Sequence, residues 1–146
     1  MEEGVNFLTF YKEIFRLKQA DAGTYSPLVL AYIGDAVYEL MIRTKIVNDG
    51  NMQVNKLHRK SSSLVKAKTQ ADLIKVLKPY LTEEETAVFK RGRNAKSATV
   101  AKNADMTDYR MATGFEALIG WLFLSERFER MTELTVIGLK EIGELP

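Results

Sequence analysis

Apolar residues recur at helical spacing along almost the whole chain, and no segment alternates in the manner of a strand. The pattern predicts six helices, at about residues 5–19, 27–47, 54–77, 82–92, 107–124 and 126–142. Residues 93–106 are small and polar without a clear period, so we predict a loop there. The expected fold class is all-α: a single compact helical domain over residues 1–146, with its core at about residues 24–142.

Local start and stop signals set the predicted helix limits. Ser26 and Pro27 suit the cap and the first turn of the second helix, where the missing proline N–H costs nothing. The sequence Asn-Asp-Gly at 48–50 is a turn signal that ends this helix, and Pro79 ends the third. Thr-Glu-Glu-Glu at 82–85 has the form of a capping box at the start of the fourth helix.

Two carboxylates interrupt otherwise apolar helices, and both lie outside the predicted core stripes. Asp35 is well off the core stripe of the second helix, which comprises Leu30, Ile33, Val37, Leu40 and Met41. Glu116 is next to the core stripe of the fifth helix, which comprises Phe115, Leu118, Ile119 and Leu122. Because Gly34 and Gly120 lack side chains, they would let another helix or a substrate approach closely.

The pattern leaves two interpretations of these carboxylates open. An ionised side chain in apolar surroundings loses hydration unless a cation or hydrogen bonds compensate. Asp35 and Glu116 could face each other across a helix pair and hold Mg²⁺ or Mn²⁺, which prefer oxygen ligands. Alternatively, each one caps a helix or pairs with a buried arginine or lysine.

The amino-acid composition excludes several kinds of functional site. The 146 residues include no cysteine, which excludes disulfides, thiolate metal sites and a cysteine nucleophile. The acidic N-terminus lacks the layout of a secretion signal, and carboxylates break the longest apolar stretches. We therefore expect a soluble cytoplasmic protein without a membrane partner.

Charge is segregated along the chain, although the net charge is only +2. Residues 54–68 and residues 88–103 each contain five lysines and arginines and no acid. Two such runs beside apolar helices indicate a polyanionic partner such as nucleic acid, and an unevenly charged solvated surface is the alternative. We predict that residues 90–103 form a loop that grips this partner.

Two segments resemble the sequence motifs of the ribonuclease III family. Tyr-Ile-Gly-Asp-Ala-Val at 32–37 is similar to the family's signature element, and Phe-Glu-Ala-Leu-Ile-Gly at 115–120 is similar to its second motif. Their order and separation also match. The resemblance extends to the Mini-ribonuclease III branch, over about residues 27–128, through the segments 57–62, 90–97, 102–105, 109–110 and 113–116.

This resemblance implies an all-α endonuclease domain that acts as a homodimer on double-stranded RNA, with each subunit cutting one strand. It implies hydrolysis of phosphodiesters that depends on Mg²⁺, with Mn²⁺ able to replace it. It also implies maturation of the ends of the 23S ribosomal RNA precursor, with a ribosomal protein as a candidate partner that presents the substrate. A separate double-stranded-RNA-binding domain, which full ribonuclease III carries, is not expected.

The resemblance makes Asp35 and Glu116 the catalytic residues and the metal ligands. The residues that we predict to bind RNA, from the basic segments, are Lys60, Arg91, Arg93, Lys96, Lys102 and Asn103. Ribonuclease III enzymes carry two further acids, at positions where this chain has Ala31 and Thr113. The Mini branch is similarly reduced, so activity is still expected, while the number of cations per site stays open.

The favoured function is a Mg²⁺-dependent endoribonuclease that cleaves double-stranded RNA. Ala31 and Thr113 keep a second interpretation open, a non-catalytic RNA-binding or ribosome-assembly module with the same fold. A third, a helical protein-interaction domain, would have no affinity for RNA. The sequence leaves the cleavage site, the sequence preference and the accessory protein undetermined.

Overall fold

The computed structural model describes residues 7–96 and 105–146 of the chain. In these two ranges the backbone forms α-helices and no strand, which confirms the predicted fold class. The helices are α1 (Phe7–Ile14), α2 (Pro27–Asp49), α3 (Val54–Val65), α4 (Ala67–Leu77), α5 (Glu83–Asn94), α6 (Met106–Leu124) and α7 (Phe128–Glu141). Short 3₁₀ turns precede α2 and α5, at Ala22–Thr24 and Lys78–Tyr80.

Helices α2 and α5 begin at the capping residues that the sequence predicted, Ser26 and Thr82. The Ser26 hydroxyl accepts a hydrogen bond from the Val29 amide at 3.3 Å, and Pro27 occupies the first turn of α2. Thr82 accepts a hydrogen bond from the Glu85 amide at 3.1 Å, while the Glu85 carboxylate accepts one from the Thr82 amide at 2.9 Å. These side chains satisfy N–H groups at the helix ends that no carbonyl within the helix reaches.

The prediction of one continuous third helix is wrong. Lys66 has an extended backbone, with φ −67° and ψ 157°, and separates α3 from α4. Side chains at the start of α4 bind carbonyls at the end of α3: Thr69 Oγ1 donates to the Ser63 carbonyl at 2.6 Å, and Gln70 Nε2 donates to the Val65 carbonyl at 2.7 Å. Apolar residues keep helical spacing on both sides of the break, so the hydrophobic pattern does not reveal it. The pattern also gives no information about hydrogen bonds from polar side chains to the backbone.

Two other helix limits differ from the predictions. α1 ends at Ile14 rather than near residue 19, because Arg16 takes a left-handed backbone with φ 54°. α5 continues to Asn94, so the basic residues 90–93 are helical rather than part of a loop. Basic side chains in the last turn interact favourably with the helix dipole, which supports this longer helix.

Helix α6 lies at the centre of the described structure and contacts α2, α4, α5 and α7. Its predicted core stripe is confirmed, because every member is fully buried: Phe115, Leu118, Ile119 and Leu122. The neighbouring face is buried as well, including Gly114, Gly120 and Trp121. A helix that is buried nearly all round shows no amphipathic pattern, so its orientation is set by its neighbours rather than by solvent.

Helix α2 presents a different face to the core from the one predicted. Leu30 and Val37 are buried as expected, but Leu40 is 65% exposed. Gly34 and Tyr38 face the interior instead. The core face is rotated because a glycine, which carries no hydrophobic signal, is the residue that packs against α6.

Helices α2 and α6 cross with their backbones in direct contact. A Cβ atom at Gly34 would overlap the carbonyl oxygen of Glu116, and one at Gly120 would overlap the carbonyl oxygen of Leu30. Side chains ordinarily hold helix axes about 8–10 Å apart, so this approach requires residues without a side chain. The prediction that these two glycines allow close approach is therefore confirmed.

Gly34→Ala is expected to destabilise the fold by at least about 2 kcal/mol, because the added methyl group has no space between two helix backbones. The free energy of unfolding, obtained by chemical denaturation, measures the effect. Gly50→Ala is the matched control, because a Cβ there would make only ordinary contact, 3.6 Å from the Met52 methyl carbon. Equal stability of the two variants would contradict the backbone contact between α2 and α6.

Candidate active site

The α2–α6 crossing brings Asp35 and Glu116 together. Gly34 rests on the backbone of Glu116, and Asp35 follows Gly34 in the chain. The two carboxyl groups interact electrostatically and through a hydrogen bond. Asp35 is exposed and Glu116 is partly buried, so the pair lies at the edge of the core, within reach of a dissolved molecule.

Burial raises the pKa of the Glu116 carboxyl to about 8, and the negative charge of Asp35 adds to this shift. A hydrogen bond from Gln70 acts in the opposite direction and lowers the pKa, whereas the hydrogen bond shared with Asp35 raises it. The two largest causes disfavour the same species, the ionised glutamate. Glu116 therefore holds a proton near neutral pH unless a positive charge compensates for its burial.

Another buried carboxylate in this fold is compensated by a base. Glu85 is 2% exposed, and Arg130 donates to both of its oxygens, at 2.8 and 2.9 Å. Burial by itself raises the pKa of Glu85, but hydrogen bonds from Arg130 and Thr82 outweigh burial and lower it. Asp35 and Glu116 lie in helix interiors, where they cap nothing, and no described lysine or arginine forms an ion pair with them. The interpretation based on capping or a buried base therefore does not hold in the described part of the chain.

The polar side chain that contacts Glu116 from the interior is Gln70 of α4, which the sequence patterns missed. Gln70 is 2% exposed, and its Nε2 donates to Glu116 Oε2 at 3.2 Å. Its Oε1 is buried and accepts no hydrogen bond from any described protein group. The contact depends on the break between α3 and α4, and a glutamine within a helical pattern gives no sign of such a role.

The oxygen atoms at this site fit a hard divalent cation such as Mg²⁺ or Mn²⁺. Two carboxylates are donors of the type that such ions select. Within residues 7–96 and 105–146, no cluster gathers three or more acidic, histidine or cysteine side chains. Ala31 offers no donor, and the Thr113 hydroxyl donates to the Tyr109 carbonyl at 3.0 Å. A cation at Asp35 and Glu116 would therefore complete its coordination with water or phosphate oxygens.

The structure describes four of the six residues predicted to bind RNA: Lys60 on α3, and Arg91, Arg93 and Lys96 at or just after the end of α5. The other two, Lys102 and Asn103, lie outside the described residues. None of the four forms an ion pair with a described carboxylate. No described carboxylate therefore neutralises their charges through an ion pair.

The end of α5 is held against the turn of α6 that carries Glu116. A Cβ atom at Gly92 would lie 2.7 Å from the Cβ of Ala117 and 2.9 Å from the Cα of Gly114. Gly92 is flanked by Arg91, which is exposed, and by Arg93, whose guanidinium lies 5.5 Å from the centre of the Phe89 ring. The last turn of α5, which carries these two arginines, therefore packs against the turn of α6 that contains Glu116.

Comparison with known proteins gives a consistent result. A family model for the ribonuclease III domain matches residues 28–127. The chain is 55% identical over 124 residues to Mini-ribonuclease 3 of Clostridium tetani, covering 83% of this chain and 82% of that protein. It is 51% identical over 119 residues to Mini-ribonuclease 3 of Enterococcus faecalis, covering 80% of this chain and 90% of that protein. The chain belongs to the ribonuclease III family.

A solved structure supports the same assignment at the level of the fold. A crystal structure of a protein from Fusobacterium nucleatum matches with a TM-score of 0.75 and 34% sequence identity, covering 84% of this chain and 96% of that one. As a ribonuclease III family member in the Mini-ribonuclease 3 branch, the chain is an endoribonuclease that acts on double-stranded RNA. This membership favours an enzyme over the non-catalytic module and the protein-interaction domain. The described helices include no candidate for a membrane-spanning segment.

Proposed function

We propose that this endoribonuclease depends on Mg²⁺, that Asp35 and Glu116 hold the cation, and that Mn²⁺ can replace it. The observation that carries this proposal is the contact between two carboxyl groups at the edge of the core, without a basic partner among the described residues. A divalent cation compensates both charges at once, which a single lysine or arginine beside one of them does not.

The proposed substrate is the precursor of 23S ribosomal RNA, cut near its ends in the cytoplasm. The resemblance of the basic segments 57–62 and 90–97 to the Mini branch supports this substrate. A ribosomal protein that presents the duplex is a candidate partner. In this proposal the basic residues of the catalytic domain bind the duplex.

Asp35 and Glu116 have different parts in the proposed mechanism because their surroundings differ. A bound divalent cation supplies Lewis-acid polarisation of water and of the scissile phosphate. Asp35 is exposed and is the carboxylate that an approaching RNA strand reaches first. Glu116 is partly buried and is held by Gln70, so its carboxylate is oriented before RNA arrives. Interactions in these partly dry surroundings are less screened than in water, which strengthens binding of a charged group.

The proposed RNA-binding surface consists of the basic side chains on α3 and in residues 90–96. A-form RNA hides its base edges in a deep, narrow major groove, so a protein recognises the duplex by its shape, phosphates and 2′-hydroxyls. Exposed lysines and arginines without acidic partners suit contacts with phosphates. This surface therefore predicts strong dependence of binding on salt and little dependence on sequence.

The active form that we propose is a symmetric homodimer. The outer face of α2 beside Asp35 carries apolar side chains that the described residues leave uncovered: Tyr32 is 82% exposed, Val29 47% and Leu28 37%. A second copy of the chain would cover this face and remove it from water. Two-fold symmetry would also supply two equivalent sites, one for each strand of the duplex.

Asp35→Asn is expected to reduce cleavage of a long RNA duplex by at least about a hundredfold, because asparagine keeps the shape and loses the charge that attracts Mg²⁺. Duplex binding and the free energy of unfolding should stay close to those of the parent. Glu116→Gln should act in the same direction, and combining the two should add little, because both residues serve one site. The measurement is the rate of cleavage as a function of Mg²⁺ concentration.

Asp49→Asn is the matched control for these variants. Asp49 is the last residue of α2 and forms an ion pair with Lys45. The backbone contact of α2 with α6, at Leu30 and Gly34, lies nearer the other end of the helix. This control should cleave at the parental rate. Near-parental cleavage by Asp35→Asn would overturn the assignment of the metal ligands.

Combined Arg91→Ala and Lys96→Ala is expected to weaken binding of RNA duplexes of unrelated sequence to a similar extent. Each phosphate contact that is lost reduces the number of counterions released on binding. The slope of log affinity against log salt should therefore become shallower by about 2 for each subunit that contacts the duplex. Arg93 is left in place because its guanidinium packs on Phe89. Lys75→Ala with Lys140→Ala removes the same charge from exposed positions outside the basic runs. Equal binding by the two double variants would place the RNA surface elsewhere.

Tyr32→Glu is expected to convert a dimer into a monomer, because a two-fold axis would bury two added negative charges on the same apolar face. Light scattering at a fixed concentration gives the mass, and circular dichroism checks that the helices are retained. Val54→Glu is the control, because Val54 is similarly exposed, at 76%, but lies on α3. A monomeric parent that still cuts both strands would contradict the dimer.

A further inference from the structure

Gln70 is the buried polar side chain whose hydrogen bonds are incomplete. Its side chain is almost fully enclosed, at 2% exposure. Nε2 makes two hydrogen bonds, to the Val65 carbonyl at 2.7 Å and to Glu116 Oε2 at 3.2 Å, while Oε1 receives none from the described protein groups. Enclosing a polar atom without a partner costs about 1–3 kcal/mol, so a residue that only filled space here would be better replaced by an apolar one. The arrangement therefore indicates a role beyond packing.

The neighbouring residue shows which part of this arrangement belongs to the fold. Thr69 and Gln70 both donate to carbonyls at the end of α3, Thr69 to Ser63 and Gln70 to Val65. Both side chains are buried, and both bonds support the turn between α3 and α4. Only Gln70 continues to a carboxylate on α6. Its second hydrogen bond is thus not needed to join α3 to α4.

The contacts of Glu116 show what this second hydrogen bond does. Of its two described polar contacts, Asp35 repels the ionised carboxylate and Gln70 donates to it. Thr113, one turn earlier on α6, uses its hydroxyl within the helix, and Ala31 has no polar side-chain atom. Gln70 therefore restrains the direction of the Glu116 carboxylate, and its own amide is fixed by the Val65 carbonyl.

We propose that Gln70 is a positioning residue of the metal centre: its amide holds Glu116 so that this carboxylate and Asp35 can share one divalent cation. The inference rests on the proposed function, because it presupposes that Asp35 and Glu116 bind the cation. Residues that orient a metal ligand through hydrogen bonds typically change metal affinity when they are replaced.

Gln70→Met tests the proposal, because methionine fills a similar volume and cannot donate a hydrogen bond. The measurement is the affinity of the full chain for Mn²⁺ alone, without RNA, from the electron paramagnetic resonance signal of free Mn²⁺. The dissociation constant should rise by about tenfold or more. The Mg²⁺ concentration that gives half-maximal cleavage should rise in parallel, and cleavage should recover in part at high Mg²⁺. Gln70→Ala, which leaves space rather than a misfitting group, is the second variant.

Thr69→Val is the matched control, because it removes only the bond to Ser63 at the same turn. It should lower the melting temperature and leave the Mn²⁺ dissociation constant unchanged. If the Gln70 variants also melt lower but bind Mn²⁺ like the parent, Gln70 is structural and the inference is wrong. Asp35→Asn separates this result from a failure of the proposed function: parental Mn²⁺ binding by Asp35→Asn would mean that the cation does not bind at this pair at all.

Discussion

The contact between the backbones of α2 and α6 is the constraint on which the site depends. Gly34 and Gly120 let the helices approach until the carbonyls of Glu116 and Leu30 occupy the space of missing side chains. At ordinary helix separation, the side chains of Asp35 and Glu116 would be held further apart. The same packing that closes the core therefore sets the geometry of the carboxylate pair.

Without a bound cation, the carboxylate pair lowers the stability of the folded protein, and packing elsewhere in the fold offsets this loss. Glu85 shows the arrangement that stabilises a buried carboxylate, with Arg130 donating to both oxygens. Glu116 instead has a second acid, Asp35, and a single amide donor, Gln70, beside it. Burial and the charge of Asp35 raise the pKa of Glu116 to about 8. Sites that bind a charged ligand commonly trade stability for function in this way. The fully buried core of α6 supplies the stability against which this local cost is set.

The break at Lys66 gives two functions to what resembles a single helix. α3 carries exposed basic residues, including Lys60, and is the more polar of the two segments. α4 turns its apolar face to α6 and α7 and places Gln70 beside Glu116. Because the two helices are separate, the basic surface and the interior support for the carboxylate need not share one helix axis. The proposed RNA surface on α3 and the interior support for the proposed metal centre on α4 are thus separated by one residue of extended backbone, Lys66.

The sequence by itself determined the features that depend on local interactions. Apolar spacing predicted the helical class, and capping residues predicted where α2 and α5 begin. The two motifs that contain Asp35 and Glu116 indicated the ribonuclease III family. Tertiary structure decided which residues meet, because those contacts join positions far apart in the chain. The core face of α2 is rotated towards Gly34, and Gln70 reaches Glu116 across 46 positions. The hydrophobic pattern of a helix indicates which of its faces is buried and which is exposed to solvent. It does not indicate which residues of other helices contact the buried face.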